Sequence, residues 1–544
     1  MKTFLRHLAA HRPAAGKRTW VFVAYDQLTD RMGPLSRIDP RKAGIVVVES
    51  AQKGRRRRYH RQKLAFVLAN LRHFCLEQAA RGVAVRHVAT DGGYESALRA
   101  IAGELGPLRA MEFAERELRH ELEPLVRDGL LVVESHEGWL TTRAQFDASH
   151  PDGPPYRMDR FYRHVRKATG VLMDGGKFAG GKLSFDTENR KRWNGEPEAP
   201  EVPTFARDEV TDEVIAFVRS AFADHPGEID EDRLPCTQQH ADAMWEWARR
   251  ECLPQFGPFQ DAMSTKSASL FHTRLSPLLN VMRVLPRDVV DGACASKLPI
   301  ASKEGFVRQV LGWREFVRHV HEATDGFRSV TKGRDALGQA TPSFLGARRA
   351  LPPAWWGAKS GLACLDRCVE DVWRDGYGHH ISRLMVLANF AALLDVSPRE
   401  LTDWFWCAYA DAYDWVVEPN VLGMGTFAVG DLMTTKPYIA GASYVESMSD
   451  YCKGCAFDPK STCPVRSLYW AFLQRHEAKL KDNQRLAIPL QSMRKRTDVQ
   501  REDDVATFER VSKALARGES LVPADEKAAS PGSPRRGGAK PKKR

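Results

Sequence analysis

Four short runs rich in valine and aromatic residues constrain the first part of this chain: WVFVAYDQL from Trp20, GIVVVES from Gly44, GVAVRHV from Gly82 and GLLVVES from Gly129. Stretches with helical periodicity separate them. The clearest is YHRQKLAFVLANLRHFC, where Leu64, Val67, Leu68, Leu71 and Phe74 share one stripe. Strands alternating with helices predict a parallel, doubly wound sheet, with ligands bound beyond the carboxyl ends of the strands. The expected organisation is a flexible leader over 1–19, an α/β domain over 20–147 and a connector over 148–207, entered through SHPDGPPY. A large all-helical domain follows over 208–517, then a disordered basic tail over 518–544 carrying Ser-Pro pairs and KPKKR.

Hydrophobic residues make up 43% of 544, and none of the apolar runs approaches the roughly eighteen residues of a membrane span. The N-terminus lacks the continuous apolar core of a secretory signal. Ten scattered cysteines do not form a disulfide framework for so long a chain, which fits a reducing compartment, and the expected location is cytoplasmic. The formal net charge is +12, of which six basic residues from Pro531 onward supply half. Such an excess fits a polyanionic partner, and also fits a solvated basic face. The chain contains neither a P-loop nor a GxGxxG loop.

Cys452, Cys455 and Cys463 form a CxxC followed by a third cysteine and at once by Pro464. Two thiolates from one turn and a third nearby make most of a metal site. Three readings stand side by side on spacing alone: small buried cysteines, a structural zinc site, or an iron-sulfur cluster whose last ligand sits at a Cys-Pro junction. The missing fourth ligand must come from far away in sequence.

HTRLSPLLN (272–280), EGFVRQVLGWREFVR (304–318), GYGHHISRLMVLANFA (376–391) and DWVVEPNVLGM (414–424), together with the cysteine stretch, resemble the photolyase and cryptochrome superfamily. Within it they resemble the iron-sulfur bacterial branch of deoxyribodipyrimidine photolyase-related proteins, which includes (6-4) photolyases. The resemblance runs from about Trp20 to about Pro489, and includes YDQL at 25–28 and TGVLMDGGKFAGGKLSFDTENRK at 169–191.

What the resemblance implies is an FAD in the helical domain, a [4Fe-4S] cluster and a lumazine-type antenna chromophore near Asp26, Gln27 and Glu49. The cluster ligands would be Cys364, Cys452, Cys455 and Cys463, with Cys368 the rival for the first place. Around the flavin it implies His272, Thr273, Ser276, Gln309, Arg314, Asn389, Asp414 and Asn420. His379 and His380 would border a lesion pocket and supply a proton, and Trp356 and Trp404 would carry electrons. The sequence departs from the branch at several points. Val417 stands where some relatives have an acid, with Glu418 next door. Gly425, Thr426 and Val429 replace polar residues, Phe405 replaces a tyrosine, Tyr25 replaces a glycine, and the loop between Cys455 and Cys463 is short.

The expected function is a monomeric, blue-light-driven DNA photolyase. Its partner would be UV-damaged DNA, it would have no membrane association, and it would join the nucleoid when bound. The alternative is a cryptochrome photoreceptor with the same cofactors and no repair activity.

Overall fold

The computed structural model describes residues 1–523 apart from 12 and 14, so most of the expected basic tail lies outside the described residues. Five parallel strands form one sheet: β1 (Thr19–Phe22), β2 (Ala43–Ser50), β3 (Ala84–Thr90), β4 (Leu108–Met111) and β5 (Leu131–Glu134). Their order is β3-β2-β1-β4-β5, so the winding reverses between β1 and β4. β2 lies at the core of the sheet; its run Ala43–Glu49 is buried on both faces, as a valine-rich strand covered by helices must be. Four strands match the valine runs. The fourth in chain order, LRAM at β4, carries Arg109 in its middle and no β-branched residue, so it lacked a strand pattern.

The helix Arg61–Ala80 packs Leu64, Leu71 and Phe74 into the core, while Val67 and Leu68 face a cavity at the strand ends. Its outer side is covered by Glu209–Ala221, where His73 Nε2 meets Thr211 Oγ1 at 3.0 Å and Arg72 meets Glu213 at 3.5 Å. The helical succession expected from 208 thus begins with a helix that completes the α/β layer.

The leader is not flexible throughout. Lys2–Ala10 is a helix with Phe4 fully buried edge-on against His87 at 4.9 Å. The Glu213 carboxylate accepts the backbone N–H groups of Thr3 (2.8 Å) and Phe4 (3.2 Å), satisfying donors that a helix start leaves open. At the other end the ordered chain runs past 518. Leu521 is buried, and its N–H donates to the Ser360 carbonyl at 2.9 Å.

Helices dominate from Gln238 to Ala516. Besides a π-helical turn at Ala248–Cys252, three more lie at Arg308–Arg314, Ser382–Ala388 and Glu418–Gly425. An extra residue per turn re-aims side chains, and such turns gather at functional sites. All three border the same central cavity. Among the described residues, no helix is long and apolar enough to cross a membrane.

Candidate functional site

The central cavity of the helical body holds about 290 Å³, at the low end for a small-molecule site. One wall is HTRL, where Arg274 takes a positive φ of 52° and turns the chain into the short helix Ser276–Asn280. The facing walls come from the π-turns, with Gln309 and Arg314 on one and Asn420 on another. Phe306, Val310, Leu384, Val416 and Val417 supply apolar surface. His272, Thr273, Ser276, Gln309, Arg314, His379, His380 and Asn420 all line this one space, from four separate stretches of sequence.

Two expected residues do not reach it. Asn389 is fully buried and bound to one backbone position, donating to the Ala440 carbonyl (3.0 Å) and accepting from its N–H (2.9 Å). Its place on the helix, nine residues after His380, turns it to the opposite side. Asp414 points toward the α/β domain, where it accepts from the Glu117 N–H at 3.2 Å. The carboxylate that does face the cavity is Asp411. It takes both Arg383 terminal nitrogens at 2.9 Å and the Ser276 hydroxyl at 2.6 Å, so the Ser276 hydroxyl is committed to it. A lone acid inside the aromatic run AYADAY was the available signal, because a buried carboxylate requires a cation.

The three histidines are the chemical centre. The rings of His272 and His379 stack at 4.4 Å and 9°. His272 Nε2 donates to the Gln260 carbonyl at 3.1 Å, while His379 Nδ1 is buried without a partner. Burial holds the His272 pKa down to about 4. His379 lies well below the usual range through burial, then through His272, His380 and Arg383. His380 opens onto the cavity within the helical body, and desolvation followed by Arg383 lowers it to about 4. At neutral pH all three imidazoles are uncharged. Arg314 lies over Trp139 (4.5 Å) and Trp415 (5.2 Å), its Nε has no partner, and burial lowers its pKa to about 10.

Val417 lines the cavity and Glu418 does not. Glu418 is fully buried on the far side, accepting from His321 (2.9 Å), Arg328 (3.1 and 3.2 Å) and Arg399 (3.1 Å). Gly326, at φ 60°, passes so close that a Cβ there would collide with Arg328 and Glu418.

Residues 21–234 match the family model described as deoxyribodipyrimidine photo-lyase-related protein. Over 487 residues the chain is 33% identical to a (6-4) photolyase of Agrobacterium fabrum, covering 86% of this chain and 94% of that protein. The chain belongs to the photolyase-related family. A shorter match, 37% over 97 residues, is to an uncharacterized protein of Acanthamoeba polyphaga mimivirus, covering 18% of this chain and 76% of that one. Two solved structures share the fold. A bacterial class III photolyase from Agrobacterium tumefaciens has TM-score 0.56 at 15% identity over 92% of this chain and 99% of that one. A Synechocystis cryptochrome has TM-score 0.53 at 14% identity over 93% and 100%.

In this photolyase-related chain the four expected cysteines come from two separate parts of the helical body. Cys364 sits in the first turn of Ala363–Asp375, and Cys463 precedes the helix Pro464–Leu480. Burial raises the Cys364 thiol well above its usual range, and Cys368, Cys463, Cys452 and Cys455 raise it further, so these sulfurs lie within electrostatic reach of it. Cys368 instead turns inward against Tyr451 and Asp371, buried on all sides. The short loop folds on itself, because Asp458 accepts the N–H groups of Lys460 and Ser461 at 2.9 Å each. Among the described residues, no three ligand side chains are close enough to share one ion.

A second cavity, about 270 Å³, lies at the strand ends against the helical body. Tyr25 lines it without filling it, stacked on Tyr413 at 6.4 Å and 12°. Glu49 is taken by Arg72 (2.8 Å twice) and His87 (2.9 Å), and Gln27 donates to the Glu112 carbonyl at 2.7 Å. Both Asp26 oxygens, Tyr25 Oη and Tyr413 Oη are buried without partners. Burial raises the Asp26 pKa to about 7, partly countered by its own backbone and by Lys53.

Proposed function

We propose that this protein is a blue-light-driven, FAD-dependent DNA photolyase acting on pyrimidine (6-4) photoproducts. The observation that carries the reading is the cluster of neutral imidazoles, His272, His379 and His380, on the wall of the central cavity. The sequence relationship to a (6-4) photolyase over almost its whole length gives the substrate class. The formal charge of +12 suits damaged DNA as partner, in the cytoplasm and on the nucleoid.

The cavity fits a flavin, because an apolar slab is edged by polar atoms, including the unpartnered Arg314 Nε and His379 Nδ1. His272, Thr273, Gln309, Arg314 and Asn420 would hold it. When bound, FAD supplies the light-driven electron that enters the lesion and returns. Val417 presents methyl groups to the cavity, so no side-chain proton is exchanged there. The histidines are held neutral until negative charge develops on a flipped-out lesion. That charge raises the nearest imidazole's proton affinity, and the stack allows only one of His272 and His379 to be charged at low cost. His380, open to the cavity, or His379, with its free Nδ1, would then take up a proton from solvent and pass it to the lesion, returning to the neutral imidazole. Asp411 fixes Arg383 beside them and balances its charge.

Cys364, Cys452, Cys455 and Cys463 would hold a [4Fe-4S] cluster. The support is that Cys463, Cys452 and Cys455 all lie within electrostatic reach of Cys364. The unpartnered hydroxyl oxygens of Tyr25 and Tyr413, which line the second cavity, support a planar antenna chromophore carrying N–H or O–H donors.

The test is repair of an oligonucleotide carrying one (6-4) lesion, under blue light and in the dark, beside a cyclobutane dimer substrate. Flavin and iron content are recorded on the same sample. Light-dependent repair of the (6-4) lesion alone is expected; flavin-loaded, chemically reduced protein that repairs neither lesion refutes the reading.

A further inference from the structure

We infer that the segment Gly518–Leu521 is a latch over the loop that carries Cys364, and that releasing it opens the cysteine site to solvent. The inference rests on the cluster reading above and adds residues that no sequence motif singled out. The helix Asp498–Ala516 ends in a glycine turn. Gly518 takes φ 72°, its N–H donates to the Leu515 carbonyl at 3.0 Å, and the Glu519 N–H donates to the Ala514 carbonyl at 2.9 Å. Crossed bonds of this kind, closed by a left-handed glycine, end a helix and send the chain off in a fixed direction. Here they lead it beside Pro353 and onto the start of the helix Ala363–Asp375.

Leu521 is 4% exposed and joins the hydrophobic core, and its N–H donates to the Ser360 carbonyl at 2.9 Å. The loop it meets, 360–362, ends two residues before Cys364. Asp366 holds the same loop from the helix side. It accepts the Ser360 N–H at 2.8 Å, the Ser360 hydroxyl at 2.6 Å and the Gly361 N–H at 3.3 Å. Gly361 lies between the two grips at φ 81°, and a Cβ there would collide with the Leu521 backbone. A side chain is therefore excluded twice at this position, by the backbone conformation and by the latch.

The C-terminal unit also reaches the other half of the cysteine site. The helix Asp498–Ala516 packs along Pro464–Leu480, which starts at the residue after Cys463, with the Arg475 guanidinium 3.5 Å over the buried Phe508 ring. Residues 498–521 thus join the Cys463 helix to the Cys364 loop. The two joints differ in strength. The helix buries Phe508, Val511 and Leu515, whereas the latch rests on one backbone hydrogen bond and one leucine. A joint of the second kind opens locally long before the fold does. Leu521 and Gly361 are positioning residues, acting on the site through the loop.

The experiment uses the full-length, iron-loaded protein and follows transfer of iron to a chromogenic chelator. Leu521→Asp places a charge where the leucine is buried and is expected to speed iron loss at least about tenfold. Leu521→Met keeps an apolar side chain and should lose iron at the wild-type rate. So should Val522→Asp, one residue further on at a position 71% exposed. In iron-free protein, iodoacetamide should alkylate Cys364 at least about tenfold faster in Leu521→Asp. Cys368, 3% exposed and one turn further along the same helix, should keep its wild-type rate, which a general loss of structure would not allow. Should the aspartate variant fail to fold, Leu521→Ala thins the same contact without a charge and is expected to act in the same direction. Equal rates in Leu521→Asp and Val522→Asp overturn the latch, and so does parallel acceleration of Cys364 and Cys368. Wild-type protein that holds no iron, with the selective alkylation of Cys364 intact, leaves the latch standing and removes the cluster reading.

Discussion

Replacing Glu418 by glutamine separates two roles for the acid beside Val417. In the structure its carboxylate faces the His321 ring and the guanidinium groups of Arg328 and Arg399, and none of the cavity. Burial alone would raise its pKa; the hydrogen bond and charge of His321, then Arg399 and Arg328, more than reverse this and leave it at about 2. Against an ordinary 4.5, that depression corresponds to about 3 kcal/mol of stability at neutral pH. The contribution is complete above the unfolded value and is lost as the pH falls toward 2. Removing one partner of a buried ion pair costs about 3–5 kcal/mol by the independent mutational scale. Glutamine keeps the volume and one acceptor but leaves two buried guanidinium groups facing an uncharged amide. Glu418→Gln should therefore lose about 3–4 kcal/mol in urea unfolding followed by tryptophan fluorescence, with flavin content and visible spectrum unchanged under native conditions. An unchanged midpoint with a shifted flavin spectrum would refute this, because it would put the carboxylate at the cofactor.

Four further outcomes follow from the same geometry. Cys364→Ser should abolish iron binding measured by metal analysis while Cys368→Ser retains it; the reverse would exchange their roles. His60 and His272 are held neutral with pKa values near 4; the unfolded chain therefore binds more protons between pH 4 and 6.5, and stability falls as the pH drops through that window. Each should contribute a loss of about 2 kcal/mol at pH 5 relative to pH 7.5, and a flat pH profile of the unfolding midpoint would contradict it. Asp26, raised to about 7, is protonated in the fold where the unfolded chain is ionised, so its contribution worsens as the pH rises from 3.8 to 7. In protein without antenna, Asp26→Asn should raise stability at pH 8 by up to about 4 kcal/mol and change little at pH 4. His380→Ala should cut light-driven repair by about 10²–10⁴-fold with flavin retained, measured on chemically reduced protein.

The sequence was most legible where one local rule decided the outcome. The valine runs became β1, β2, β3 and β5 because β-branched residues favour extended backbone, most strictly in β2, which is covered on both faces, and the helix Arg61–Ala80 followed from its stripe. The family words brought eight expected residues to one cavity because each word is a helix segment or the turn that leads into one. What stayed hidden depended on partners far apart in the chain. Nothing near Phe4 announces that Glu213 will cap its helix, and β4 is a strand only because β1 and β5 pair with it. Asn389 and Asp414 look polar enough for a flavin, yet each is claimed elsewhere, by Ala440 and by Glu117.

Trp373 is the sharpest case. Thirteen tryptophans give no reason to choose one, and its own segment, VEDVWRDG, reads as an ordinary helix end. Its position between Trp356 and Trp404 arises because the turn Pro353–Trp356 presents one carbonyl to two helices at once. A contact among three rings from three segments is contained in no window of sequence. The same reasoning bears on Phe405. The tyrosine expected beside Trp404 is Phe405, and in the fold Trp404 also meets Trp373 edge-on at 5.9 Å. Phe405→Tyr should then leave the rate of flavin photoreduction within about twofold of wild type, a barrier change of about 0.4 kcal/mol. A large acceleration would mean that a phenol at this position carries electrons that the neighbouring indoles alone do not.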